Sequence, residues 1–220
     1  MNDLSAVRPG DQSRALWLST AAFTVCFAVW TIFSIIGVQI KNELGLNETQ
    51  FGLLVGTPIL TGSLVRLMLG VWTDQYGGRT VYTAVMLSAA VATWLLTFAY
   101  DYPTFLLAAL GVGVAGGSFA VGIAYVAKWY PTEKQGTALG IFGAGNVGAA
   151  LTKFVAPFVM IAYGWQAVAN VWAIVLAITA ILFWMFAKDE PQLEARRKAG
   201  IKPEPMLAML APLARLQVWR

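Results

Sequence analysis

Arg66 and Lys153 both lie inside long apolar stretches of a 220-residue chain that has no histidine and whose eleven carboxylates all fall between such stretches. An ionisable side chain at bilayer depth costs roughly 2.5–3.5 kcal/mol on insertion scales, so it is retained where it faces a protein-lined or watered cavity with a partner. No acidic residue shares that depth, and the simplest partner for Arg66 is therefore a bound anion. Guanidinium suits a planar oxyanion: it is a flat fork of donors matched to two oxygens, and it stays charged at any physiological pH. Asn146 adds a neutral amide donor, while Phe27 and Phe119 are rings that would admit a flat ion and disfavour a tetrahedral one. Plainer roles are open to each residue. Arg66 could bond to helix carbonyls, the phenylalanines could pack in a core or against lipid, and Lys153 could snorkel to the outer interface.

The elements that must position these side chains are membrane helices. Hydrophobic residues make up 58% of the chain and charged residues 12%, with a mean hydropathy of +0.66, a balance that belongs to polytopic membrane proteins. The single cysteine, Cys26, lies in the first apolar run, so no disulfide framework is possible and the residue reads as a small buried hydrophobe. A spanning helix needs ~20 mostly apolar residues, because every backbone group must be hydrogen-bonded internally. Six runs qualify, at about 15–40, 51–73, 80–100, 103–127, 136–162 and 165–187. None alternates like a barrel strand, and the first is too long for a signal-peptide core. The expected fold is an all-α integral membrane protein with a tail over 1–14, a six-helix bundle over 15–187 and a basic linker over 188–220. Within that linker, Met206 to Leu210 is amphipathic and short, suited to the membrane surface.

Lys and Arg set the orientation, since cytoplasmic loops retain positive charge. Arg8, Arg14, Arg79, Lys128, Lys134 and the seven basic residues from Lys188 to Arg220 fall on one side, against Lys41 alone on the other. Both termini are expected in the cytoplasm, in a bacterial inner membrane. The net charge of +4 then reflects topology, with anionic lipid as its contact and no role in binding nucleic acid.

Small residues recur every four positions along the fifth run, at Gly136, Gly140, Ala144, Gly148 and Thr152, with Gly143 and Gly145 beside them. The fourth run carries Gly113, Gly116, Gly117 and Gly122, and small faces let helices approach in lipid. Close packing of these two helices is the expectation. At 1.5 Å per residue, Arg66 lies about 12 Å from the cytoplasmic end of its helix, Asn146 about 15 Å, Phe119 about 13–14 Å and Phe27 about 18 Å. All four approach the midplane, where transporters hold their substrates. Lys153, about 25 Å in, lies nearer the outer face.

Three stretches carry a family likeness: Gly62 to Arg66, the turn Gly70 to Arg79, and the glycine- and asparagine-rich segment Gly140 to Gly148. On these, and on Phe119 to Gly136, the chain resembles the N-terminal half of a nitrate/nitrite porter of the major facilitator superfamily over roughly residues 15–190. The resemblance implies that Arg66, Asn146, Phe27, Phe119 and Gly145 line the anion site, and that Asp74, Gly77, Gly78 and Arg79 form the cytoplasmic gating turn. Gln75 stands where the wider superfamily usually has arginine, and Lys153 where some members have a neutral polar residue. It gives Lys153 a possible part in coupling or anion attraction, and the chain is expected to be completed by a further six-helix half, or by a second copy.

Alternating access around a midplane anion needs no cofactor or metal. A coupled proton could not use a buried carboxylate or imidazole of this half, whereas nitrate/nitrite exchange needs no titrating group; proton-linked nitrate uptake through Lys153 stays open. The competing readings are a carrier of another small anion and a non-transporting membrane assembly subunit. An enzyme is disfavoured, because the chain has no Cys/His metal set, no nucleophile with an adjacent base and no phosphate-binding loop.

Overall fold

The computed structural model describes residues 8–200; the Met206–Leu210 segment lies outside them, as does most of the basic linker. Among the described residues, six helices are long and apolar enough to cross a membrane: Pro9–Leu44, Glu48–Tyr76, Gly78–Phe98, Tyr102–Ala127, Thr132–Tyr163 and Trp165–Phe186. They are referred to below as spans one to six. Each expected run is present, and most extend beyond their apolar cores because local signals start them earlier. Pro9 opens the first span at a position where its missing N–H is harmless. Asn47 and Gln50 form a reciprocal capping box at the start of the second.

The turns are tight. Gly77, at φ 92°, joins spans two and three, and Gly164, at φ 82°, joins five and six, a left-handed backbone region open to glycine. The basic end of the bundle is tied across spans: Lys188 pairs with Asp11 at 3.0 Å, and Gln12 donates to the Trp129 carbonyl. At the opposite end, Lys41 pairs with Glu48 at 2.6 Å and the Trp165 indole donates to Glu43. The alternating charge bias therefore sorts the turns onto the two ends as the sequence requires. Large apolar side chains such as Phe98, Leu107, Ile174 and Met185 are exposed around the outside, as a surface facing hydrocarbon demands.

Spans four and five are both interrupted near mid-length by a 3₁₀ turn, Val114–Gly117 and Ala144–Val147. The glycines around these turns do not pack mainly on one another, contrary to the expectation for these two helices. Gly122 does receive Phe142 of the fifth span, but Gly113 and Gly117 lie against the second span and Gly116 against Trp30. Gly145 meets Phe23, and Gly148 meets the first-span backbone at Thr24 and Ala28, whereas a Cβ at Gly136, Gly140 or Gly143 would meet nothing within 4 Å among the described residues. A four-residue period marks a face; which helix covers it depends on the crossing geometry. Gly148→Ala is expected to destabilise the protein by about 1–3 kcal/mol through overpacking. Gly52→Ala, where a Cβ meets open space, should leave it unchanged or slightly stabilised, and thermal unfolding in detergent separates the two.

Beyond the sixth span the chain is not a free linker. Pro191–Lys198 is a short helix docked on the basic end, with Glu190 and Leu193 buried.

Candidate functional site

Arg66 sits on the second span, eight residues before Asp74. Its Nε donates to the Gly116 carbonyl at 3.2 Å, on the 3₁₀ turn of the fourth span, where poorer helical hydrogen bonding leaves a carbonyl receptive to an outside donor. The guanidinium carbon lies 5.5 Å from the Trp30 ring centroid and 5.6 Å from that of Phe119. Arg66 forms no ion pair among the described residues, and no other hydrogen bond engages its two terminal nitrogens there. The carbonyl contact thus coexists with an unpaired charge and a free pair of donor groups.

Aromatic side chains extend from this point. Phe27 contacts Trp30 at 5.2 Å and Phe23 at 5.4 Å between centroids. Phe23 in turn contacts Phe119 at 5.4 Å and Phe142 at 4.9 Å. Phe119 is therefore brought against Arg66, while Phe27 stands behind Trp30. Trp30 was not among the residues singled out by sequence. Its signal lies in position, three residues after Phe27 on a helix, but an aromatic in a membrane helix has many uses.

Asn146 is exposed, and its side-chain nitrogen donates to the Gly143 carbonyl at 2.7 Å within its own helix. It connects to the aromatic group through Gly145, which is packed on Phe23. Lys153 is exposed, without an ion pair or hydrogen bond among the described residues. The spans bearing these polar residues are the least covered: 28% of the apolar window of the second span and 22% of the fifth are buried, against 39–50% elsewhere.

A second cluster occupies the basic end. Lys128 Nζ lies 2.7 Å from Asp74 and 3.7 Å from Glu190, and it closes a cavity of about 300 Å³ lined also by Thr73, Gln192, Leu193 and Arg196. Glu190 accepts the Gly78 N–H at 2.8 Å, capping the third span with negative charge where the helix dipole favours it. Leu193 and Glu190 crowd Gly77, leaving no room there for a side chain. Arg79 donates twice to the Trp184 carbonyl, at 2.7 and 3.1 Å, and stacks on the Trp184 ring at 4.4 Å. Asp74, Gly77 and Gly78 are thus brought together with Lys128 and the buried Glu190, two partners that sequence reading left out, while Arg79 engages Trp184 instead. A buried carboxylate does exist in this half, which corrects the expectation that it has none: Glu190 follows the sixth span yet folds back beneath the bundle. Burial pushes its carboxyl above the ordinary glutamate range, opposed by Lys128 and the Gly78 N–H.

A family profile described as Major Facilitator Superfamily matches residues 18–219. The chain is 41% identical over 229 residues to the probable nitrate/nitrite antiporter NarK1 of Thermus thermophilus, covering 99% of this chain and 50% of that protein. It is 32% identical over 210 residues to the probable nitrate/nitrite transporter NarK2 of Mycobacterium tuberculosis, covering 94% and 52%. Against the nitrite extrusion protein of Bacillus subtilis it is 30% identical over 188 residues, covering 85% and 48%. The chain spans about half the length of these relatives, which fits six membrane helices where a full facilitator bundle has two such sets. With its spans, its turn between spans two and three and this match agreeing, the chain belongs to the Major Facilitator Superfamily and forms a six-helix half of that fold.

Proposed function

We propose that this chain supplies one half of a carrier that moves nitrate or nitrite across the bacterial plasma membrane by alternating access, with both termini cytoplasmic. The observation that carries the reading is Arg66: a guanidinium near two aromatic rings, with no carboxylate partner and with its terminal nitrogens unengaged among the described residues. Such a group is costly at bilayer depth unless an anion neutralises it. The names of the three relatives point to the same anions.

In this reading Arg66 supplies the charge, Asn146 an amide, and Phe119 and Phe27 the flat walls, with Gly145 allowing the fifth span to approach. Lys153 attracts anions from the outer side. Asp74, Gly77, Gly78 and Arg79, now with Lys128 and Glu190, latch the cytoplasmic gate. The N-terminal tail runs into the helix that Pro9 opens, and the segment from Lys188 onward serves as the linker, its first part docked as the helix Pro191–Lys198. The poorly covered faces of spans two and five meet a second six-helix half, with a second copy of this chain as the alternative. The protein acts as a carrier, without covalent chemistry. Exchange of nitrate for nitrite fits the antiporter name of the Thermus relative and needs no titrating group.

The test is competition in proteoliposomes containing the full-length protein. Nitrite should inhibit uptake of labelled nitrate, and tetrahedral sulfate at the same concentration should not. Equal inhibition by sulfate, or no saturable nitrate uptake, overturns the reading.

A further inference from the structure

The Trp30 indole is engaged on three sides. Its Nε1 donates to the Pro58 carbonyl on the second span at 2.8 Å, which uses the only donor an indole has. Its ring lies against Gly62 of the second span and Gly116 of the fourth, and a Cβ at either position would run into it. Phe27, at 5.2 Å between centroids, and the Arg66 guanidinium, at 5.5 Å, also lie beside it. The same two elements that hold the indole hold the arginine. Gly62 is one helical turn before Arg66, and the Gly116 carbonyl accepts the Arg66 Nε.

From this arrangement we propose that Trp30 is the positioning residue of the anion site, a ring keyed into the second and fourth spans that fixes the plane of the Arg66 guanidinium. The inference rests on the reading of Arg66 as the anion-binding group. Tryptophan gives the strongest of the aromatic cation contacts. A ring pinned by a hydrogen bond and two glycines cannot rotate away when the anion leaves. The Nε–carbonyl bond holds one edge of the guanidinium, and the Trp30 and Phe119 rings lie 5.5 and 5.6 Å from its carbon. What remains is the edge bearing the two terminal nitrogens, held ready as a pair of parallel donors. Preorganisation of this kind lowers the cost of binding without a direct contact to the ligand.

The experiment uses full-length protein in proteoliposomes, comparing Trp30→Phe and Trp30→Tyr with the unsubstituted protein and with Arg66→Lys. Trp30→Phe keeps a ring but loses the indole bond to Pro58. It is expected to raise the KM for nitrate about ten-fold, or ~1.4 kcal/mol, with the maximal rate little changed. In protein labelled with 5-fluorotryptophan, the fluorine resonance missing from either Trp30 variant identifies this side chain. That resonance should move on adding nitrate, stay still with sulfate, and lose its nitrate response in Arg66→Lys. An unchanged KM, a fall in maximal rate alone, or a resonance indifferent to nitrate overturns the role of Trp30, while loss of uptake in Arg66→Lys keeps the parent reading intact. Uptake that survives Arg66→Lys overturns the parent reading instead.

Discussion

Arg66→Lys in the full-length protein should lower nitrate uptake at subsaturating concentration by at least about 100-fold, or ~2.7 kcal/mol, although the charge is conserved. The guanidinium divides its work: Nε bonds the Gly116 carbonyl, its carbon lies within cation–π range of Trp30 and Phe119, and the terminal nitrogens are left for two oxygens. Lysine has one nitrogen and no flat face. Its three donors diverge from a single nitrogen, so it cannot bond the carbonyl and also present two parallel donors to the anion, and it loses the geometry that favours a planar ion over a tetrahedral one. Hydrogen bonds to charged groups contribute ~1.5–3 kcal/mol each, so loss of one such bond with its orientation accounts for the size of the effect. The measurement is the initial rate of labelled nitrate uptake, normalised to protein in the membrane. Rates within two-fold of the unsubstituted protein would remove Arg66 from the site.

Lys128→Met should destabilise the basic end of the bundle by about 3 kcal/mol, the lower end of what breaking a buried pair costs. The lower end applies because the Lys128 side chain is 20% exposed and that of Asp74 is 47% exposed, while Glu190 is fully buried. Removing the cation leaves two carboxylates facing each other at the turn between spans two and three, one of them without access to water. Pairing the change with Glu190→Gln should restore part of the loss, since the amide still accepts the Gly78 N–H without a buried charge. A double variant no more stable than Lys128→Met would show that Glu190 does not couple to the lysine.

The same carboxylate gives the pH dependence a sign. Its raised value in the folded protein means that the folded state holds the proton more tightly than the unfolded chain. The resulting stability is fully present below the ordinary glutamate range and is lost as pH rises through the raised value. Thermal stability measured across that window should fall with rising pH, and Glu190→Gln should flatten the slope.

Much of the architecture was legible without coordinates, for a physical reason. Hydropathy is a property of ~20 consecutive residues, and a bilayer admits few backbone solutions. Six spans, the sorting of basic turns to one end and the oddity of a lone arginine therefore follow from composition read along the chain. Arg66 stood out because a charge inside a long apolar run is recognisable from its own segment, before any partner is known. Phe119 could be placed at the height of Arg66 by the helical rise alone, although its contact with the guanidinium could not.

What needed the tertiary structure was every contact set by how helices cross. Trp30 meets the Pro58 carbonyl across 28 residues and Arg66 meets the Gly116 carbonyl across 50. Both depend on where a 3₁₀ turn and two glycines bring three spans together. The glycine period announced a close approach and left its partner open: Gly148 turns out to abut the first span, whereas a Cβ at Gly140 would meet nothing within 4 Å among the described residues. Glu190 falls in what the sequence reads as a basic linker after the last span, yet it caps the third span from 112 residues away. Sequence by itself determined which residues the membrane must bury or exclude, because that is decided by local solvation. Only the tertiary structure decided which of them face one another, because that is decided by packing among segments distant in the chain.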